Sequence, residues 1–153
     1  MSNVEISVNN QFSAQKEIKK LVDNVETVLN KEIQLAAGEI VKRTQAGQKP
    51  TGGAFKAYSK SYAKYKSSKG RSTGVDLTFS GQLLQAIQTK IEKTTSAITA
   101  TIFFNAPRSN RGASGKGSTI TNPALATELE RTRPFFALSK KQIDKIINAL
   151  QRK

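Results

Sequence analysis

Apolar residues recur three and four positions apart from Ile18 to Ile40. Ile18, Leu21, Val22, Val25, Val28, Leu29, Ile33, Ala36 and Ile40 form one stripe, and Lys19, Lys20, Asp23, Glu26, Lys31 and Glu39 fill the other face. That spacing aligns side chains at 3.6 residues per turn and scatters them at the two-residue period of a strand. The segment therefore reads as one long amphipathic helix. Ser13 is the candidate N-cap, with Lys16 in place of the acid that would complete a capping box, and the helix ends near Gly47 and Pro50. A helix this long cannot leave its stripe in water, so the rest of the chain must cover it.

The remaining segments supply candidates for that cover. Residues 1–10 alternate, with Val4, Ile6 and Val8 on one side, and read as a short half-exposed strand. Ser59 is placed to cap a short helix that aligns Tyr58, Tyr62 and Tyr65, ended by the glycines at 70 and 74. Ser80 is placed to cap a second, over residues 81–87, with Leu83, Leu84 and Ile87 inward. Ile87, Thr89 and Ile91, then Ile98, Ala100, Ile102 and Phe104, alternate with polar residues around Thr94-Thr95-Ser96, which is the pattern of a hairpin. Phe103 points away from Phe104, so both faces of that strand end are expected to be covered. A brief helix is expected over 123–130 and an extended apolar segment at Pro134-Phe135-Phe136. Ser139 and Gln142 spell a capping box before Ile143, Ile146, Ile147 and Leu150, a stripe expected to pack on the sheet. The fold class is α+β: a single domain over residues 1–153, its antiparallel sheet covered by the long N-terminal helix and the C-terminal helix. Residues 105–122, rich in Gly, Ser, Asn and Arg, form a long flexible basic loop carrying Arg108, Arg111 and Lys116.

Composition narrows the chemistry. The chain has 153 residues with no Cys and no His. Disulfides, thiolate metal sites and thiol nucleophiles are excluded, and so are the Ser-His-Asp and Cys-His triads. Lys and Arg number 25 against 11 Asp and Glu, a net charge of +14. So large an excess favours polyanionic or acidic partners. Residues 1–10 lack the basic start and apolar core of a signal peptide, and no run approaches the roughly 20 apolar residues of a membrane span. No membrane role, metal or cofactor is expected.

The catalytic spellings fail on their spacing. Gly115-Lys116 invites a phosphate-loop reading, but Asn110 stands where the first glycine belongs and Gly117 where Ser or Thr must follow the lysine. Ser61 and Lys64 fit Ser-x-x-Lys without the companion motifs of those hydrolases. Glu128 and Glu130 diverge on a helix, and nothing local joins Asp76 to Glu92, so paired-acid and metal-assisted hydrolysis lack their groups. The chain is expected not to be an enzyme. Residues 42–71 hold many cations and no acid, interleaved with Phe55, Tyr58, Tyr62 and Tyr65. Base-stacking beside phosphate-binding lysines would look like this, and a small basic nucleic-acid-binding protein is the alternative reading. Aromatics at helical spacing equally suit a core.

Three segments carry a resemblance. They are Gly53-Ala54-Phe55-Lys56-Ala57-Tyr58-Ser59-Lys60-Ser61-Tyr62-Ala63-Lys64, then Asp76-Leu77-Thr78-Phe79-Ser80-Gly81-Gln82-Leu83-Leu84-Gln85-Ala86-Ile87, then Arg133-Pro134-Phe135-Phe136-Ala137-Leu138-Ser139. In this order, after a long helix, the chain resembles the tail-completion proteins of tailed bacteriophages, also described as tail-terminator, head–tail joining or virion-morphogenesis proteins. The resemblance implies a structural virion protein, located in the tail or neck and assembled in the host bacterial cytoplasm. It implies a homo-oligomeric ring, commonly a hexamer, at the head-proximal end of the tail. Its partners would be the tail tube protein and the head-connector or neck proteins, with DNA passing through the lumen. On that reading Phe55, Tyr58, Phe103, Arg133, Pro134, Phe135 and Phe136 are candidate subunit or partner contacts. Arg108, Arg111 and Lys116 would reach a neighbour, a docking surface or DNA.

Overall fold

The computed structural model describes residues 9–78, 81–105 and 120–152, with side chains from Gln15 onward. Helix α1 spans Asn9–Gln45, a rod of about 55 Å at 1.5 Å per residue. It begins earlier than the sequence suggested, so Ser13 lies inside it and is not its cap. Nothing between Asn9 and Ala37 is Gly or Pro, and an established helix extends at one hydrogen bond per added residue. Asn9 and Asn10 are helical; the rest of the strand read over 1–10 lies outside the described residues. The other end is where the pattern placed it. Gly47 has φ +73°, the Gly47 amide donates to Thr44 O and the Gln48 amide to Arg43 O. These two bonds satisfy the last carbonyls as a Schellman motif does. A Cβ on Gly47 would stand 3.0 Å from the Val75 carbonyl oxygen, so only glycine fits both the turn and the packing.

A turn over residues 49–53 carries the chain to Phe55 and then to α2, Lys60–Ser68. Ser59 caps α2 by accepting from the Tyr62 amide, as its position predicted. Gly70, at φ +65°, closes α2 with the same two-bond pattern. The short α3, Gln82–Gln85, starts from Gly81 at φ +77°. Ser80, expected as its cap, lies outside the described residues. Strands β1, Ile87–Lys93, and β2, Ile98–Phe104, pair antiparallel from Ile87 opposite Phe104 to Lys93 opposite Ile98. This is the expected hairpin in the expected register. Phe103 is half-buried on its outer face, so that strand end is partly covered on both sides. Helix α4, Asn122–Thr132, has Thr121 as N-cap and a proline in its first turn. Helix α5, Lys140–Gln151, has the full capping box between Ser139 and Gln142.

The layers form one α+β domain. Helix α1 lies across both strands, and α5 packs on α1. The core gathers Phe55, Leu77, Leu83, Leu84, Ala126 and Phe135, with Val41, Ile87, Phe104 and Phe136 against it. Under α1, Ile33, Ala36, Ala37 and Ile40 are buried. Two expectations are corrected. The α5 stripe does not pack on the sheet: Ile143, Ile147 and Leu150 are exposed, and Gln142 is the buried residue of α5. Phe55 and Phe135 are not surface contacts either; both are interior, Phe135 with 0 % of its surface exposed. An aromatic ring beside a proline can sit on a surface patch or in a core, and here the core had room for it.

Candidate functional site

Two polar networks organise the surface around the three segments singled out above. The first centres on Tyr58, which precedes α2. Its ring meets Tyr62 edge-on at 4.8 Å between centroids. The Lys66 ammonium stands 4.9 Å from the ring centroid, and the Arg133 guanidinium lies at the same distance. Its hydroxyl accepts from the Leu77 amide at 3.2 Å. Burial, aided by the nearby negative charge of Asp76, pushes the Tyr58 phenol up to about 12. Lys66 has its side chain 0 % exposed and pairs with Asp76 at 2.8 Å. Asp76 also accepts from the Thr78 amide at 3.0 Å. Burial pushes the Asp76 carboxyl up, but the bonds from Lys66 and Thr78 outweigh it, and the group ends below its ordinary value. Leu77 between them has φ +50°, a left-handed backbone that a leucine adopts only when its surroundings fix it. Here the Tyr58 hydroxyl and the buried side chain do so.

The second network clamps residues 133–142. Arg133 donates from Nε to Lys56 O at 2.9 Å and from a terminal nitrogen to Ala57 O at 3.0 Å. One Glu130 oxygen accepts from the amides of Phe135 and Phe136 at 3.0 and 3.1 Å. Arg43, from the last turn of α1, donates to Phe135 O at 2.9 Å, Ala137 O at 2.7 Å and Gln142 Oε1 at 3.0 Å. Gln142 then donates from Nε2 to Ala36 O at 3.0 Å. Irregular backbone near a core must find partners for its polar groups, and here Arg43 from the far end of the chain supplies them together with the nearby Glu130 and Gln142. Burial lowers the Arg43 guanidinium, and Glu39 and Glu130 act in the opposite sense.

The expected contact residues thus have separate fates. Arg133 and Tyr58 meet each other and are half-buried; Phe136 is half-buried and stacks on Phe104 at 4.4 Å; Pro134 is exposed. Phe55 and Phe135 belong to the core. Arg108, Arg111 and Lys116 lie outside the described residues. The clamp role of Arg43, Glu130 and Gln142 was missed, although Gln142 was read as half of a capping box. Their signal was absent because each looks like an ordinary charged or polar residue on its own helix.

The catalytic candidates do not converge. Glu128 pairs with Arg131 at 3.5 Å, Glu92 with Lys90 at 2.6 Å, and Asp76 with Lys66. Ser61 shares a hydrogen bond with Ser59 at 3.2 Å. Among the described residues no group of three or more Asp or Glu side chains is placed to hold a metal ion, and no helix is long and apolar enough to cross a membrane. What the surface offers is charge and apolar area. Lys56, Lys60, Lys64, Lys69 and Arg71 are exposed around α2, and Ile143, Ile147 and Leu150 are exposed along α5. Comparison with protein-family models, with curated proteins and with solved structures finds no match to this chain.

Proposed function

We propose that this chain is a structural virion protein of a tailed bacteriophage. It would form a ring at the head-proximal end of the tail, end the growth of the tail tube and join it to the head connector. It would act through fitted contacts and turn over no substrate. The resemblance rests on three segments far apart in sequence, and the observation that carries the reading is where they go. The first contributes Phe55 to the core, the second Leu77, Leu83 and Leu84, and the third Phe135. Arg133 of the third binds the carbonyls of Lys56 and Ala57 in the first. The three segments thus pack into one core, as parts of a single assembly-competent fold would. The exposed apolar residues of α5 and the cationic surface around α2 suit a protein that works against neighbours.

The test is the composition of purified particles. Mass spectrometry of mature virions should find the chain at about six copies each, the number of one hexameric ring. Labelling should place it at the neck. Its absence from mature particles would overturn the proposal. The second reading, a nucleic-acid-binding protein, is favoured by the exposed cations alone. Tyr58 and Tyr62 are already engaged with each other and with Lys66 and Arg133, which leaves the phosphates as the target. Binding to single-stranded DNA that weakens steeply with salt, by a chain absent from virions, would support that alternative.

A further inference from the structure

The cations of this chain are unevenly partnered. Lys20, Lys66, Lys90, Lys93, Arg131 and Lys145 each pair with an acid within 3.5 Å. Lys56, Lys60, Lys64, Lys69 and Arg71 are exposed around α2, and none of them has an acidic partner among the described residues. No acid stands between Glu39 and Asp76 in the sequence, and Asp76 is held by the buried Lys66. Lys60 and Lys64 lie one turn apart on one face of α2, with Ser67 and Ser68 on the next turn. All four are exposed. Gathered like charges repel, and an anionic partner relieves that repulsion. The chain does not supply one: outside residues 9–78, 81–105 and 120–152 its sequence holds a single acid, Glu5. A second copy brings the same net charge of +14, so copies repel across this face.

We propose that the Lys60–Lys64 face of α2 binds the phosphate backbone of double-stranded DNA without reading its sequence. A protein partner would need apolar or aromatic anchors at the centre of the contact. The exposed residues from Lys56 to Gly74 are lysine, arginine, serine, threonine and glycine, apart from Ala57 and the rim of Tyr62. Cations and hydroxyls are the usual donors to phosphate oxygens. A single strand is held largely by bases stacking on free rings. Here Tyr62 sits against both Tyr58 and Tyr65, at 4.8 and 6.4 Å between centroids, and Lys69 lies 5.9 Å from the Tyr65 centroid. Phosphate contact remains, and a DNA duplex rewards it more, with a salt slope of about 0.9 per phosphate against about 0.7 for a single strand. Double-stranded RNA is read across successive grooves and through its 2′-hydroxyls, a span that one helix of nine residues does not offer. The inference stands on the charge of this face, and it is compatible with a chain that works in a virion or outside one.

Fluorescence anisotropy with a short labelled DNA duplex of mixed sequence tests it. Lys60→Gln with Lys64→Gln removes two phosphate contacts and should lower the slope of log affinity against log salt by about 2. Lys16→Gln with Lys19→Gln takes the same charge from exposed positions at the start of α1 and should leave the slope unchanged. Circular dichroism checks that both double variants are folded. Lysine acetylation of the unaltered chain, read by mass spectrometry, needs no substitution: the duplex should shield Lys60 and Lys64 and leave Lys16 and Lys19 reactive. No binding by the unaltered chain would overturn the inference, as would equal loss in both double variants or equal shielding of all four lysines. So would tighter binding of the single strand, of an RNA duplex or of poly-glutamate, the last of which would give the face to an acidic protein. Particle composition is measured separately. A chain found in the neck but failing these tests would lose this contact and keep the proposed function.

Discussion

Among single residues, Lys66 carries the clearest consequence. Its ammonium is fully enclosed and its countercharge, Asp76, keeps 21 % of its side chain exposed. The two partners should therefore respond unequally to substitution. Asp76→Asn leaves a buried cation without its anion and should cost about 3 kcal/mol. Lys66→Met removes the buried charge and lets Asp76 turn to water, so it should cost clearly less. Urea unfolding of both variants at neutral pH measures the order. The sign with acid follows from the depressed Asp76 carboxyl. Its stabilisation is present above the unfolded-state value near 3.9 and is lost as pH falls through the lower folded value. Asp76→Asn should flatten that part of the acid limb.

Tyr58 acts at the opposite end of the pH scale. Its phenol is held protonated to about pH 12, first by burial and then by Asp76. A group whose folded value is raised stabilises below its unfolded value, near 10, and loses that contribution as pH rises toward 12. Phenolate absorbance should show a late step that Tyr58→Phe removes. The same change strips the Leu77 amide of its acceptor and should cost about 1 kcal/mol.

At the level of elements, what was legible in the sequence was local. The end of α1 at Gly47, the Ser59 cap, the hairpin register and the Ser139–Gln142 box each depend on residues within a few positions of one another. The orientation of α5 was not legible. Three isoleucines and a leucine outweigh one glutamine in any pattern, yet the glutamine is inside. Its amide closes the capping box at Ser139 and reaches Arg43 and Ala36, residues 99 and 106 positions away. No periodicity encodes such bonds. They also rank two substitutions. Ser139→Ala removes one capping acceptor and should cost about 1 kcal/mol. Gln142→Ala strands Arg43, the Ser139 amide and the Ala36 carbonyl together, and should cost about 3 kcal/mol by the same unfolding measurement. Phe135 was left open between subunit contact and core for the same reason: its surroundings include Phe55, Leu77, Leu83, Leu84, Phe104 and Ala126, which no reading of residues 133–139 alone can supply.

At the level of the whole molecule, the last twenty residues complete what the first forty-five begin. Arg43 ends α1, but its acceptors are Phe135, Ala137 and Gln142. Removing everything after Thr132 deletes Phe135 from the core and takes Gln142 away from Ala36. Such a chain should lose its cooperative melting transition and bind a hydrophobic dye, while retaining much of the helical signal of α1. A sharp melt in the truncated chain would show that the core closes without Phe135.

The clamp at Arg43 also sets an order of events during synthesis. A ribosome makes α1 before the segment that seals it. At roughly 5–20 residues per second, the nascent rod waits several seconds with its greasy side uncovered. A cell producing this polypeptide in bulk must shield that side until the closing residues leave the exit tunnel, and chaperone depletion should send the newborn chain into inclusion bodies before any mature copy is affected.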